Sequence, residues 1–310
     1  MQNTYWSGRL NERLSQGRLI DVAVCTYRRA SLETTLRSLA TQILPVGTSL
    51  RVIVADNDET PIARALVVSI GAELGIDYRY IHAPQRNISV ARNACLDAGD
   101  APLLAFIDDD ESAIPHWLAA LAARLDETGA DAVLGPARAL YPPGAPAWAS
   151  RADLHSTTPP FTETDDIRTG YTCNVLLRRS AFGGRRFDLD LGRSGGEDDV
   201  FFAGAVRDGA RIAYAPDAIV DDPVPIARLT IGWLCRRSFR NGQTYARTRL
   251  AAGGGRPILL VTAAGKAVLC LVAAAITAPS AVRWRRMTVR GMLHLGACAT
   301  YLGRPDLQLY

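Results

Sequence analysis

The sequence predicts an α/β fold, a parallel sheet with helices on its faces, and three observations carry that prediction. Short apolar runs alternate with helix-length amphipathic stretches from residue 19 onward, the pattern of βαβ units. Three polar clusters, at 26–29, 56–58 and 108–111, stand where such strands end. The chain has 310 residues, 48% hydrophobic and 21% charged, enough apolar material for one large domain, or one domain with an appendage.

The elements follow in order. Residues 19–25 read as a buried strand, and Thr26, Tyr27, Arg28 and Arg29 as the loop leaving it. A helix is expected from Ser31, an N-cap candidate with Thr34 at the third helical position. Residues 50–55 form a second strand, ending in Asp56, Asn57 and Asp58; a helix after Pro61 and a short strand at 78–81 come next. A helix over 88–98 precedes a strand at 103–107, which ends on Asp108, Asp109 and Asp110. Residues 139–166, rich in Pro, Ala, Ser and Thr, read as a loop, and order returns with a strand at 172–177. Glycines punctuate 192–196, and Glu197, Asp198 and Asp199 open a helix with Phe201, Phe202 and Val206 on its apolar face. Acids at that end suit the positive pole of the helix dipole.

After Ile226 the pattern turns helical. Leu229, Trp233, Leu234 and Phe239 make an apolar stripe beside Arg236, Arg237 and Arg240, and the Gly253–Gly255 run reads as a hinge. Residues 257–278 are strongly apolar, broken by Thr262, Gly265 and Lys266, and Arg283, Arg285, Arg286 and Arg290 follow. The stretch is long enough to span a bilayer, but one central charge costs about 2.5–3.5 kcal/mol on insertion. An interfacial helix with basic anchors fits at least as well. A weaker apolar run covers 292–302.

Charge divides the chain in the same place. Thirteen of the 35 Lys and Arg residues lie from Ile226 onward, where Asp306 is the one acid. The earlier residues hold the other 22 against 30 acids. A basic, acid-poor tail suits a polyanionic surface, lipid or nucleic acid; it has neither a recognition-helix motif nor a stacking platform, so no nucleic-acid partner is expected. Six scattered cysteines lack zinc spacing and read as reduced thiols. The polar N-terminus has no apolar core of a signal peptide.

Asp108 and Asp110, one residue apart after a buried strand, can share a hard divalent cation, Mg or Mn. The same tripeptide also suits a solvated acidic loop. Glu197 or Asp198 could supply a general base, or simply cap a helix. Arg86, Arg92 and Asn93 surround a helix start and could meet phosphate oxygens. The four histidines form no ligand spacing, and neither a dinucleotide nor a P-loop glycine motif is present.

Residues 22–29, 54–57, 87–93 and 106–110, followed by Gly196, Glu197, Asp198 and Asp199 and then by 236–242, resemble the ordered motifs of glycosyltransferase family 2. The likeness is strongest over 19–250, and within the family it points to the bacterial succinoglycan-type glucosyltransferases. The resemblance implies a GT-A fold, a Rossmann-like mixed sheet with helices on both faces, and an inverting transfer from a UDP-sugar. It implies a catalytic domain over 19–225 after a polar extension at 1–18. A basic helical segment at 226–255 and a membrane-associating tail at 256–310 complete the organisation.

Carried over by position, Thr26, Tyr27 and Arg29 line the nucleotide pocket, Asp56 meets the uracil and Arg92 lies near the nucleotide. Asp108 and Asp110 become the DxD metal pair, with Asp109 beside the donor. Asp198 becomes the base, ahead of Glu197, and Arg237 and Arg240 contact a diphosphate. The implied partners are a divalent cation (Mn or Mg), a UDP-sugar, a lipid-linked saccharide acceptor, an anionic membrane surface and a polysaccharide-assembly complex. The implied place is the cytoplasmic face of a bacterial inner membrane. One departure concerns the metal: many relatives carry a histidine after the base helix, and here that region reads Val220, Asp221, Asp222, Pro223, leaving Asp222 or water as third ligand. The alternative class is a nucleotide-sugar-binding subunit without turnover.

Overall fold

The computed structural model describes residues 18–159 and 167–307. The expected N-terminal extension, up to residue 17, and residues 160–166 lie outside them. The first half alternates as expected: β1 (Arg18–Thr26), α1 (Leu32–Ala40), β2 (Thr48–Asp56), α2 (Arg64–Leu74), β3 (Tyr78–His82), α3 (Ile88–Ala98) and β4 (Leu103–Asp108). Then come β5 (Ser112–Ala113), α4 (Trp117–Thr128), β6 (Ala132–Leu134), β7 (Ala137–Leu140), α5 (Ala147–Ala152) and β8 (Asn174–Arg178). The remainder holds α6 (Glu197–Arg207), β9 (Ile212–Tyr214), β10 (Val220–Pro223), α7 (Ile231–Ala251), α8 (Arg256–Ile276) and α9 (Arg283–Tyr301).

Seven strands form the main sheet in the order β3-β2-β1-β4-β8-β6-β9, and β5-β10-β7 form a smaller one. Successive side chains of a strand point to opposite faces, and β1 shows the consequence. Ile20, Val22 and Val24 enter one core with Leu36, Val67 and Trp117, while Ala23 enters a second with Cys95 and Phe202. Helices α1, α2 and α4 cover the first face; α3 and α6 cover the second. The second core is built on stacked rings, Phe187 and Phe201 lying 4.1 Å apart.

Three local expectations are corrected. The sheet is mixed rather than parallel throughout, as the family resemblance implied: β8 pairs antiparallel with both β4 and β6. An antiparallel neighbour needs no crossover, so β8 enters beside β4 after the long 141–173 connection, a placement no local pattern encodes. Ser31 precedes α1 but sits in helical geometry and makes no side-chain cap; Asn87 does cap α3, accepting from Ser89 and Val90 N–H at 3.0 and 3.3 Å. The 139–166 stretch also carries the end of β7 and the short α5, which bury Ala139 and Ala149 against Val224 and Leu229.

The C-terminal helices dock tightly on one another. A Cβ on Gly242 (α7) would meet the Leu293 carbonyl, and one on Gly296 (α9) the Phe239 carbonyl, so the two helix backbones approach where only glycine fits. The Ser238 hydroxyl donates to the Val289 carbonyl at 2.7 Å. Gln243 ties the chain end back by donating to the Pro305 carbonyl and accepting from Leu307 N–H, each at 2.9 Å.

Candidate active site

Parallel strands carry their ligands beyond their carboxyl ends, and the register aligns three of them: Thr26 lies opposite Asp56, and Cys25 opposite Asp108. The three aspartates after β4 divide by environment. Asp109 is buried and accepts from the Thr26 hydroxyl at 2.7 Å and from Tyr27 N–H at 3.4 Å. Asp108 and Asp110 on either side stay partly open. Arg29 reaches over both Asp109 and Asp110, at 3.7 and 3.6 Å. Thr26 and Asp109 were expected among the substrate contacts; both are spent on each other, bracing the loop.

Negative charge accumulates here. Burial pushes Asp108 up to about 7, with Asp110, Asp109 and Asp198 adding to the shift and Arg92 opposing it. Burial likewise pushes Asp109 to about 6 against the Thr26 hydrogen bond. Glu111 is buried, accepts Asp108 N–H at 3.0 Å, and is raised well above its ordinary value by burial and by Asp108. Asp222 on β10 is raised to about 6 by burial and by Asp110, because β10 pairs with β5 immediately after the aspartates. Among the described residues no three His, Cys, Asp or Glu side chains converge as a ready metal shell. The donor set still fits a hard divalent cation: two accessible carboxylates in a cleft whose excess charge a cation relieves.

Asp56 is fully buried and accepts from Asp58 N–H, Ala63 N–H and the Tyr80 hydroxyl at 3.1, 3.0 and 2.8 Å. These bonds shape the loop after β2. Arg92 is 7% exposed; it is ion-paired to Glu197, 4.0 Å from Asp108, and set over the Phe187 ring at 5.6 Å. It joins α3 to α6 instead of reaching outward. Asn93 exchanges hydrogen bonds with the Phe187 backbone at 2.9 and 2.8 Å and is structural.

The Arg92 pair separates the two acids at the start of α6. Glu197 is 5% exposed, and its Oε2 finds no hydrogen-bond partner. Asp198 is half-buried; its Oδ1 accepts Asp199 N–H at 2.8 Å, which leaves Oδ2 for an incoming group. Gly195 and Gly196 before them adopt φ of 84° and 90°, the left-handed region glycine favours. A Cβ on Gly195 would strike Arg240, and one on Gly196 would strike Thr244. From α7, Arg240 donates to the Ser194 carbonyl at 3.2 Å and Arg247 to the Gly195 carbonyl at 3.4 Å. Arg240, expected on a diphosphate, thus holds the turn that presents Asp198.

Two expected outcomes arise here. Glu197→Gln leaves Arg92 charged in a nearly closed setting and should cost about 3 kcal/mol of folding stability; an unchanged denaturant midpoint would remove the buried pair. Asp199, which accepts the Thr169 hydroxyl at 3.0 Å, is raised to about 7 by burial and by Asp198. Its folded state therefore holds a proton more tightly than the unfolded chain, so its contribution to stability is full below about pH 4 and is lost as pH rises toward 7. Asp199→Asn should melt higher than the parent at pH 8 and lose less stability between pH 5 and 8. An unchanged pH slope would place that titration elsewhere.

At the other side of the strand ends, Tyr27 is 37% exposed, with Arg28 and Arg86 5.4 and 5.8 Å from its ring. Asp58 holds Arg28, and that guanidinium with Thr60 N–H keeps the Asp58 carboxyl well below the usual carboxylate range. Towards α7, Trp233 stacks on His155 at 5.8 Å and lies under Arg237 at 5.4 Å. Arg228 and Arg237 both act on Asp222. Sequence reasoning passed over Asp58 as a partner, Glu111 and the Trp233–His155 stack. The run of acids through Glu111 was the one local signal; the stack joins segments with no common motif.

The protein-family model of glycosyl transferase family 2 matches residues 21–184. The succinoglycan biosynthesis protein ExoM of Rhizobium meliloti (strain 1021) is 48% identical over 295 residues, covering 94% of this chain and 95% of that protein. The mannosyltransferase PcManGT from Pyrobaculum calidifontis, solved with GDP-Man and Mn2+, superposes with a TM-score of 0.61 at 20% identity, over 91% of this chain and 86% of its own. S. aureus TarS 1-349 in complex with UDP-GlcNAc gives a TM-score of 0.54 at 14% identity, over 92% of each chain. These two solved structures establish the fold.

Proposed function

The chain belongs to glycosyl transferase family 2 and is a glycosyltransferase of GT-A fold, and we propose that it passes a sugar, glucose by its kinship, from a UDP-sugar to a hydroxyl of a lipid-linked oligosaccharide. The setting is exopolysaccharide synthesis at the cytoplasmic face of the inner membrane. Likeness to the succinoglycan biosynthesis protein along nearly the whole chain supports the pathway, and fold neighbours solved with GDP-Man and Mn2+ or with UDP-GlcNAc support a nucleotide-sugar donor.

One observation carries the chemistry. The partly open Asp108 lies within electrostatic reach of Asp110 and of the half-open Asp198, while Asp109 is bonded to Thr26 and the buried Glu197 is ion-paired to Arg92. Asp108 and Asp110 would hold Mn or Mg, with donor phosphate, water or Asp222 filling the shell. Such a cation, when bound, neutralises the charge that develops on the departing diphosphate. Arg29, beside Asp110, adds positive charge on that side, and Tyr27 offers its ring to the nucleotide base.

Asp198 Oδ2 takes the proton of the acceptor hydroxyl. The acceptor oxygen bonds to the anomeric carbon as the bond from that carbon to the diphosphate oxygen breaks. Base and leaving group belong to separate segments on opposite sides of the sugar, so the configuration inverts. Trp233 and Arg237, beside Asp222, border the acceptor's approach.

The test is UDP release from a panel of UDP-sugars by detergent-purified protein, with Mn or Mg and with EDTA. Release from one donor that EDTA abolishes is the expected result. Absence of both release and calorimetric UDP binding would overturn the reading.

A further inference from the structure

We infer that α8 lies in the plane of an anionic membrane surface, its open face sunk into one leaflet, and does not cross the bilayer. The inference rests on the membrane-side reading given above and fixes how the protein meets that membrane.

By length and composition α8 could span: it is the one candidate among the described residues. Its surroundings argue otherwise. Ala263, Ala267, Cys270 and Ala274 pack towards α9 and α7. The opposite face presents Ile258, Val261, Val268, Leu269, Val272 and Ile276, each 51–74% exposed. These positions recur at helical spacing, so they form one continuous apolar strip. Lys266 lies off that strip, near His294 on α9, whose proton affinity burial lowers and the charges of Lys266 and Arg290 lower further. The charge that makes a span costly therefore sits at the flank, where an amphipathic side chain can reach the headgroups.

The partner helix decides the orientation. Helix α9 runs beside α8 and carries Arg283, Arg285, Arg286 and Arg290, and it is locked to α7 through Gly242, Gly296 and Ser238. Arg286 also donates to the Ala152 and Arg151 carbonyls of α5, at 2.9–3.2 Å. An α8 set across the bilayer would draw these arginines and the end of α7 into hydrocarbon with it. An α8 laid flat leaves them at headgroup level. The Arg285 guanidinium lies 4.7 Å from the Trp148 ring centre and 4.3 Å from that of Trp284, the pairing of indole and cation that suits a membrane–water boundary. With thirteen basic residues and one acid from Ile226 onward, the complementary partner is an anionic lipid surface.

The tether through Arg286 brings α5 to the same side. The 147–155 segment, with His155 stacked on Trp233, then borders the membrane beside Asp222, where a lipid-carried acceptor arrives.

Two measurements on the full chain test this. The first is co-sedimentation with phosphatidylglycerol–phosphatidylethanolamine vesicles against phosphatidylcholine vesicles, for the parent and for Leu269→Glu with Val272→Glu. Both substituted positions are exposed, so melting should not change, while partition onto anionic vesicles should fall at least tenfold. The second is protease digestion of a C-terminal tag in spheroplasts, which should occur only after the inner membrane is opened. Cleavage in intact spheroplasts would show a crossing helix and overturn the inference. So would vesicle binding unchanged by the double substitution, including the case where the strip instead joins two copies of the chain. UDP release assayed in the same preparations keeps the readings apart: a chain that turns over donor yet fails these tests overturns the membrane geometry alone.

Discussion

Asp198→Asn should lower kcat by about 10³-fold while leaving donor binding within a few-fold of the parent. The argument is one of availability. Of the two acids opening α6, Glu197 is ion-paired to Arg92 through Oε1 and is only 5% exposed, so its unpartnered Oε2 is closed off from an incoming substrate by burial. Asp198 is half-buried, and one oxygen is occupied by Asp199 N–H. Asn preserves that acceptor and the turn before it, and removes only the ability to take a proton. On the proposed reading donor affinity rests on groups near Asp108 and Tyr27 and should survive. Calorimetric UDP binding together with single-turnover transfer separates the two effects. If transfer persisted at the parental rate, the base would lie elsewhere, and the Asp222 side of the cleft would be the next place to look. Glu197→Gln supplies the contrast, because its loss should appear in folding stability first.

What could be read from the sequence was whatever local order determines. The β1 to β4 alternation, the 88–98 helix and the position of three aspartates at a strand end depend on periodicity and on nearest neighbours, and all three stand in the structure. Less legible was which acid does what. Asp109 is withdrawn from the cleft by Thr26, 83 residues earlier, and Glu197 by Arg92, 105 residues earlier. A tripeptide of identical side chains carries no sign of which member a distant hydroxyl will claim. The same holds for Arg92, which as an exposed arginine suggests phosphate and as a buried one becomes a brace between α3 and α6. The loop contacts of Asp56 were within reach of the sequence: its partners, Asp58, Ala63 and Tyr80, are close in sequence or on the next strand, so a loop-capping role could have been weighed beside the expected contact with a base. The reversal of β8 depends on the path of a 33-residue excursion from β7, which leaves no trace in the strand's own residues.

Asp110→Ala should abolish cation-dependent donor turnover, a loss of 10³-fold or more if the cation supplies several kcal/mol to the leaving group, whereas Asp109→Ala, which removes the acceptor of two hydrogen bonds, should chiefly destabilise the fold. The two positions are adjacent, carry the same side chain and share Arg29, so charge removal alone predicts equal effects. Their surroundings predict unequal ones. Asp109 is buried and holds the Thr26 hydroxyl and Tyr27 N–H; its loss loosens the loop after β1, which a lower melting temperature reports. Asp110 makes no such bond, stays open to the cleft and raises its neighbours Asp108 and Asp222. Removing it should make the cation-free protein slightly more stable, because one repelling charge is gone, and should weaken Mn2+ binding followed calorimetrically or by the ion's paramagnetic signal. A cation is worth most where it offsets charges held close together in a poorly solvated cleft. The stabilising effect of added Mn2+ on melting should therefore be large in the parent and Asp109→Ala proteins and small in Asp110→Ala. Equal stabilisation of all three would detach the cation from this pair, and turnover by Asp110→Ala that EDTA leaves untouched would remove the metal from the reaction.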